Sequence, residues 1–281
     1  VLPVTVIALL FNLPKVMQEL MDAGKLNNSA MTVTGKTMGE NLEADRAAAP
    51  YVNRDVIRAY NNPMMAKAGF VVLSGNLFDS AVMKTSVIDE KFRGRYLSTP
   101  GDEDAFEARA IVFEGPEDYH ARINDPSLEI TAQSILVIRG NGPGGYPGSA
   151  AVVNMTPPDA LAAEGIEDLA CMGDGRQSGT SGSPSILNAS PESAVGGGLA
   201  ILETGDQVRV DLNKRTVDVM LPTEEIEKRK AAWKANFPGA QTPWEEIYRS
   251  MVGQLETGAC LEPATMFVNV IEERGESRDS H

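Results

Sequence analysis

The chain has 281 residues, enough for one large domain or two modest ones, and an ordinary globular composition with 42% hydrophobic and 23% charged residues. Its 39 acidic and 25 basic side chains leave a formal charge of −14, a field that repels phosphate backbones and anionic lipid and argues against nucleic-acid or membrane partners. Two distant cysteines, Cys171 and Cys260, form no disulfide framework, suit a reducing cytoplasm, and are too few for an iron–sulfur cluster, which takes three or four thiolates.

Val1 to Phe11 is apolar but too short to cross a bilayer, and it has neither the basic flank nor the small-residue cleavage site of a signal peptide. It reads better as a processing boundary or as a buried strand cut from upstream neighbours. Asn12-Leu13-Pro14 is the N-cap and first turn of a helix. Leu13, Val16, Met17, Leu20 and Met21 recur at helical spacing before Gly24 stops it. A second helix is expected near Arg54 to Tyr60.

From Gly69 onward, short apolar runs alternate with Gly, Pro, Asn and Asp. Phe70–Leu73, Ala81–Val87, Ala108–Phe113, Ser134–Ile138 and Leu199–Leu202 read as strands. A polar stretch from Pro116 to Ile123 reads as an exposed helix. Val208, Val210 and Leu212 alternate, as do Val217, Val219 and Leu221, with Asn213-Lys214 as the hairpin turn between them. Many short strands with few helices predict a β-barrel-like domain. After Pro222, Thr223 is expected to cap a charged helix with Glu224 and Glu225 in its first turn. Thr242-Pro243-Trp244-Glu245 is a capping box, and Trp244, Ile247, Tyr248, Met251, Val252 and Leu255 follow as one apolar face, expected to pack on the rest of the enzyme. The polar tail from Glu272 is expected to fray.

Histidine is scarce. His120 lies in the polar stretch and His281 is the last residue, which disfavours both a Ser-His-Asp hydrolase and a histidine zinc site. Two loops carry the chemistry. In the first, Gly140, Gly142 and Gly145 follow a strand at the G-x-G-x-x-G spacing of a dinucleotide site, but Pro147-Gly148 would break the helix that such a site needs. The glycines still suit a loop whose backbone must approach another group closely. The second runs from Gly173 to Pro184, where hydroxyls and small residues crowd around Asp174 and Arg176. It reads either as a solvated turn or as a polar pocket in which Ser178 or Thr180 touches a hydroxylated, anionic substrate and Arg176 supplies positive charge.

Asp174-Gly175-Arg176-Gln177-Ser178-Gly179-Thr180, followed by Pro184 to Glu192, resembles the signature of the dihydroxy-acid/6-phosphogluconate dehydratase family, in the aldonate branch that acts on D-xylonate or L-arabinonate. Leu73 to Leu77, Val82-Met83-Lys84, the Gly142 to Gly148 loop and Thr32 to Thr37 add to the resemblance, which runs from about Leu13 to the C-terminus. Branched-chain dihydroxy-acid dehydratases are similar but usually carry Phe where Gln177 stands and Gly where Thr180 stands.

The resemblance implies a hydro-lyase that removes water from a 2,3-dihydroxy acid, giving an enol that tautomerises to a 2-keto acid. It implies Ser178 as the catalytic base in its alkoxide form, with Thr180 and Arg176 as substrate contacts. In the family an iron–sulfur cluster acts on the leaving hydroxyl and Mg2+ binds the carboxylate side. Most of the ligands for both lie in an N-terminal half that does not match any part of this chain. The glycine loop of relatives also carries a glutamate Mg2+ ligand, and the matching position here is Ala151. The expectation is therefore an α+β C-terminal half. Residues 1–65 would end a truncated α/β domain, 66–222 would form the β-barrel-like domain, and 223–281 a helical segment. The chain would be inactive alone, its partners being the missing N-terminal half, further copies in a homo-oligomer and a small sugar acid. A branched-chain substrate, a non-catalytic paralogue or accessory subunit, and a nucleotide-binding module stand as alternatives.

Overall fold

The computed structural model describes residues 13–65, 68–147, 149, 155–176, 183–235 and 239–265. The apolar run at the N-terminus and the polar tail therefore lie outside the described residues. The chain divides into two units, Val1–Lys67 and Ala68–His281.

In the first unit, α1 (Leu13–Asp22) and α2 (Met38–Ala48) pair. Thr37 closes a capping box on α2: its hydroxyl accepts from the Glu40 amide while the Glu40 carboxylate accepts from the Thr37 amide. The two helices meet through polar side chains. Lys15 Nζ donates to Asp45 at 3.0 Å, and Gln18 Nε2 donates to the Leu42 carbonyl at 2.9 Å. Lys15 and Gln18 are buried, whereas Leu13 and Val16, on the apolar stripe of the same helix, are exposed. The helix expected over Arg54 to Tyr60 does not form. The Asn53 side chain accepts from the Asp55 amide, an Asx-turn that competes with helix initiation, and the chain continues as turns.

The second unit is built on a closed barrel of eight strands in the order β1-β2-β6-β5-β4-β3-β7-β8. They are β1 (Phe70–Gly75), β2 (Phe78–Lys84), β3 (Ala105–Glu114), β4 (Ser134–Arg139), β5 (Ala170–Gly173), β6 (Ser185–Ser190), β7 (Gln207–Asp211) and β8 (Thr216–Val219). Together with the helices this is an α+β fold, and the barrel is the predicted one. Strands β3, β4, β5 and β6 run parallel to one another, so the loops that follow β4, β5 and β6 emerge at one end.

Side-chain alternation explains the barrel's two faces. Ala108, Ala110 and Val112 of β3, Ile135 and Val137 of β4, and Ala170 and Met172 of β5 join one apolar cluster. The intervening Ile111, Phe113, Leu136, Ile138 and Cys171 join a second cluster with Tyr119 of α4 (Pro116–Arg122). Each such large side chain contributes about 2 kcal/mol on burial.

Three expectations are corrected here. Leu199–Leu202 is not a strand: Gly198–Ile201 is a 3-10 turn. Arg139 explains the difference, because its Nη1 donates to the carbonyls of Leu199, Ala200 and Leu202 at 2.8–3.0 Å, giving them a guanidinium partner in place of a sheet neighbour. The strand expected over Ala81–Val87 ends at Lys84 and continues as a 3-10 turn over Thr85–Val87. Thr223 does not cap its helix but is the first residue of α6 (Thr223–Ala232), where Pro222 holds the cap position with no side-chain bond. Two short helices, α3 (Glu90–Tyr96) and α5 (Asp159–Ala163), join the strands. The hairpin between β7 and β8 forms, with Asp211 paired to Thr216 across a turn that includes Asn213-Lys214.

The capping box at Thr242 is present on α7 (Pro243–Met251), and Pro243 opens the helix. Its apolar face is packed only in part: Trp244 is 76% exposed and Ile247 44%, whereas Tyr248, Met251, Val252 and Leu255 are half-buried. No helix among the described residues is long and apolar enough to cross a membrane.

Candidate active site

The loops leaving β4, β5 and β6 are tied together by two buried carboxylates. Asp174, the residue after β5, is fully buried. Its Oδ1 accepts from the Asn141 amide at 2.9 Å, and its Oδ2 accepts from the Gly140 amide at 3.1 Å, the Ser193 amide at 2.9 Å and the Ser193 hydroxyl at 2.6 Å. Hydrogen bonds to an ionised acceptor are the strong ones, so this one side chain joins all three loops.

Glu192 does the same for the tip of the glycine loop. Its Oε1 accepts from the Gly144 amide and its Oε2 from the Gly145 amide, both at 2.9 Å. Gln254 completes the cradle, donating from Nε2 to Glu192 Oε1 and accepting the Glu192 amide, each at 2.8 Å. Arg249 of α7 donates to the Gly144 carbonyl at 2.9 Å. Burial pushes the Glu192 carboxyl above the ordinary value of 4.5, the Gly144 and Gly145 amides and Gln254 pull it back, and the charge of Asp174 raises it again.

This contact gives the glycines their reason. A Cβ on Gly142 would lie 2.3 Å from Glu192 Oε2, and one on Gly145 would lie 2.9 Å from the Gly140 carbonyl oxygen. The loop needs glycine because a carboxylate and its own backbone occupy the space a side chain would take. Residues 143–147 turn without starting a helix, so no helix N-terminus is offered to a pyrophosphate.

The sequence-predicted site residues are placed only in part. Arg176 is exposed, and its Nη2 donates to the Ser149 carbonyl, linking the β5 loop to the glycine loop. Ser178 and Thr180, and with them Gln177 and Ala151, lie outside the described residues. Sequence reasoning missed the structural work of Glu192, Gln254 and Asn141. The signal available for Asn141 was its place between two glycines; Gln254 carries none.

The described residues do not fit either of the inorganic groups that the resemblance implies. Cys171 is buried in the second apolar cluster with its thiol pushed up to about 12 by desolvation, and Cys260 is exposed far away in sequence. Two such thiols cannot ligate a cluster that takes three or four. The carboxylates nearest the glycine loop, Asp174 and Glu192, are spent on amide, hydroxyl and carboxamide donors. No group of three or more metal-ligating side chains occurs among the described residues.

Among the described residues, the parallel strands of the barrel present a carboxylate-locked glycine loop at one end, tied through Arg176 to the loop that leaves β5. The chain belongs to the dihydroxy-acid/6-phosphogluconate dehydratase family: residues 55–259 match the model of that family's C-terminal domain. It is 56% identical over 254 residues to a D-xylonate dehydratase of Caulobacter vibrioides, covering 90% of this chain and 42% of that protein. It is 33% identical over 270 residues to an L-arabinonate dehydratase of Rhizobium leguminosarum bv. trifolii, covering 96% of this chain and 43% of the relative. A dihydroxy-acid dehydratase of Clostridium beijerinckii is 37% identical over 249 residues, 88% of this chain and 41% of the relative. The chain thus spans about two-fifths of the length of these relatives.

Proposed function

We propose that the full-length protein is a sugar-acid hydro-lyase that converts a pentonate such as D-xylonate or L-arabinonate to the 2-keto-3-deoxy acid. The observation that carries this reading is the 56% identity to a D-xylonate dehydratase across nine-tenths of the chain, and Gln177 with Thr180 in the motif supports a pentonate over a branched-chain acid.

The chemistry assigned to this chain is proton abstraction and substrate contact. The C2 proton is weakly acidic, so the site must hold a base close to it. Ser178 takes that role as an alkoxide, which needs positive charge nearby, since an unassisted hydroxyl is far too weak an acid to be ionised at neutral pH. Arg176, two residues earlier, carries such a charge and suits a carboxylate. Thr180 contacts a substrate hydroxyl and relays protons. Asp174, four residues before Ser178 in sequence, fixes the end of β5 to the glycine loop.

The cluster and the Mg2+ ion of the full-length enzyme would be held by a preceding N-terminal half, so the 281-residue chain alone would have no dehydratase activity. The domain scheme fits this: residues 1–65 would complete an α/β domain, 66–222 would form the barrel, and 223–281 would pack on the rest of an oligomeric, cytoplasmic enzyme.

The test is 2-keto acid formation by the full-length protein from D-xylonate, L-arabinonate and 2,3-dihydroxyisovalerate in parallel. Turnover of a pentonate well above the branched-chain acid is expected, and the reverse preference would reassign the substrate. A second reading, a copy that has lost its chemistry, is favoured by Ala151. Ala151→Glu should tighten Mg2+ binding in the full-length protein if that position faces the metal. Unchanged affinity would sink the assignment of position 151.

A further inference from the structure

Helix α1 meets α2 through its polar side. At about 100° per residue, Lys15, Gln18 and Asp22 fall on one side of the helix and Leu13, Val16, Met17 and Leu20 on the other. The polar side is the buried one: Lys15 is 3% exposed and Gln18 5%, while Leu13 is 67% exposed and Val16 43%. Lys15 Nζ donates to Asp45 of α2 at 3.0 Å, and Gln18 Nε2 donates to Asp45 at 3.0 Å and to the Leu42 carbonyl at 2.9 Å. Rolling α1 to turn its apolar stripe onto α2 would break these bonds and strip a buried ammonium of its carboxylate. The polar seam thus fixes the stripe facing away from α2.

The first unit has no apolar core to receive that stripe. Among the described residues, both hydrophobic clusters are built from the second unit alone. In the first unit the buried apolar side chains are Leu42 and Ile57, and Met31 and Tyr51 are exposed along with Leu13 and Val16. A chain of about 60 residues is marginal even when well packed, so a body of this size with so little buried needs another surface. The relatives show where one lies. The model of the family's C-terminal domain starts at residue 55, yet the match to the L-arabinonate dehydratase covers 96% of this chain and 43% of that relative. Most of the first unit therefore has its counterpart outside the relative's C-terminal domain, in a protein more than twice as long.

We propose that the apolar stripe of α1, carried by Leu13, Val16, Met17 and Leu20, is an interface for the part of the full-length protein that precedes Val1. The inference rests on the full-length reading above, names one surface by which the two parts join, and is independent of which acid is the substrate. The stripe bears no charge, so its partner is an aliphatic face, and the layer rule for an amphipathic helix makes that face one side of a sheet or a second helix. Leu13 stands only twelve residues after Val1. Whatever precedes Val1 is tethered close by at high effective concentration, which favours it over a second copy of the chain.

The experiment places a diazirine-bearing aliphatic amino acid at Leu13, and in a second protein at Val16, of the full-length chain. Irradiation is followed by mass spectrometry, with the oligomeric state measured alongside. The expected crosslink joins α1 to a residue upstream of Val1 in the same chain. A crosslink to another copy, or to a residue within the 281 described by this sequence, would overturn the inference, and so would a stripe that reacts only with water. Val16→Thr gives a second reading, because threonine has nearly the shape and helix propensity of valine and differs by a hydroxyl. Buried against an aliphatic face, that hydroxyl should lower the melting temperature of the full-length protein by about 2 °C or more. An unchanged melting temperature would contradict burial. A natural protein with nothing upstream of Val1 would overturn the full-length reading itself, and its intact mass shows this before any crosslinking, so the two failures are distinguishable.

Discussion

Asp174 and Ser193, nineteen residues apart, are joined twice: the Asp174 carboxylate accepts both the amide and the hydroxyl of Ser193, at 2.9 and 2.6 Å. The same carboxylate takes the amides of Gly140 and Asn141. One side chain thus fixes the relative positions of the loops after β4, β5 and β6. Asp174→Asn keeps the shape but turns one acceptor into a donor that faces other donors. We expect a loss of about 3 kcal/mol in unfolding free energy, read from denaturant titration at constant slope. A change below about 0.5 kcal/mol would contradict the anchoring role.

Glu192 sets a pH dependence. Its folded-state carboxyl holds the proton more tightly than the free side chain at 4.5, chiefly because it is desolvated. The folded state therefore binds more protons than the unfolded one. The contribution is fully present below 4.5 and is lost as pH rises through the raised folded value. Glu192→Gln removes that slope. It also leaves Gly144 and Gly145 to share one carbonyl oxygen, costing roughly 2 kcal/mol. Unfolding free energies of both proteins from pH 4 to pH 8 check this: wild type should lose stability with rising pH relative to the variant, and parallel curves would contradict it.

Two glycines make a matched pair. Gly142→Ala drives a methyl into the Glu192 carboxylate and should cost about 2–3 kcal/mol. Gly94 is exposed in α3, with nothing within 4 Å of a Cβ built on it. Gly94→Ala should stabilise by about 0.5–1 kcal/mol through helix propensity and chain entropy. Opposite signs in the two thermal shifts are expected.

What was legible in the sequence follows from period and range. β3, β4 and the β7–β8 hairpin show as apolar runs or strict alternation, and the capping box at Thr242 is a local code. Barrel closure is not local. It depends on β2 meeting β6 and β1 meeting β8, pairings between segments more than a hundred residues apart. The run at Leu199 misled because a strand and an Arg139-bound turn bury the same apolar side chains. In the candidate site, the glycines pointed to a close approach, but the group that approaches them, Glu192, sits about fifty residues downstream and reads in isolation as one more acidic residue. The roles proposed for Ser178 and Thr180 rest on family resemblance alone, and nothing in their local pattern separates a catalytic serine from a solvated turn.

The proposed function makes Ser178 the base of a pentonate dehydratase. The most direct measurement is the kcat of Ser178→Ala in the full-length protein on D-xylonate, with cluster and Mg2+ content and substrate affinity measured alongside. The account predicts a fall of about a thousandfold or more with metals and binding retained. A variant that keeps its turnover within tenfold of wild type would contradict it.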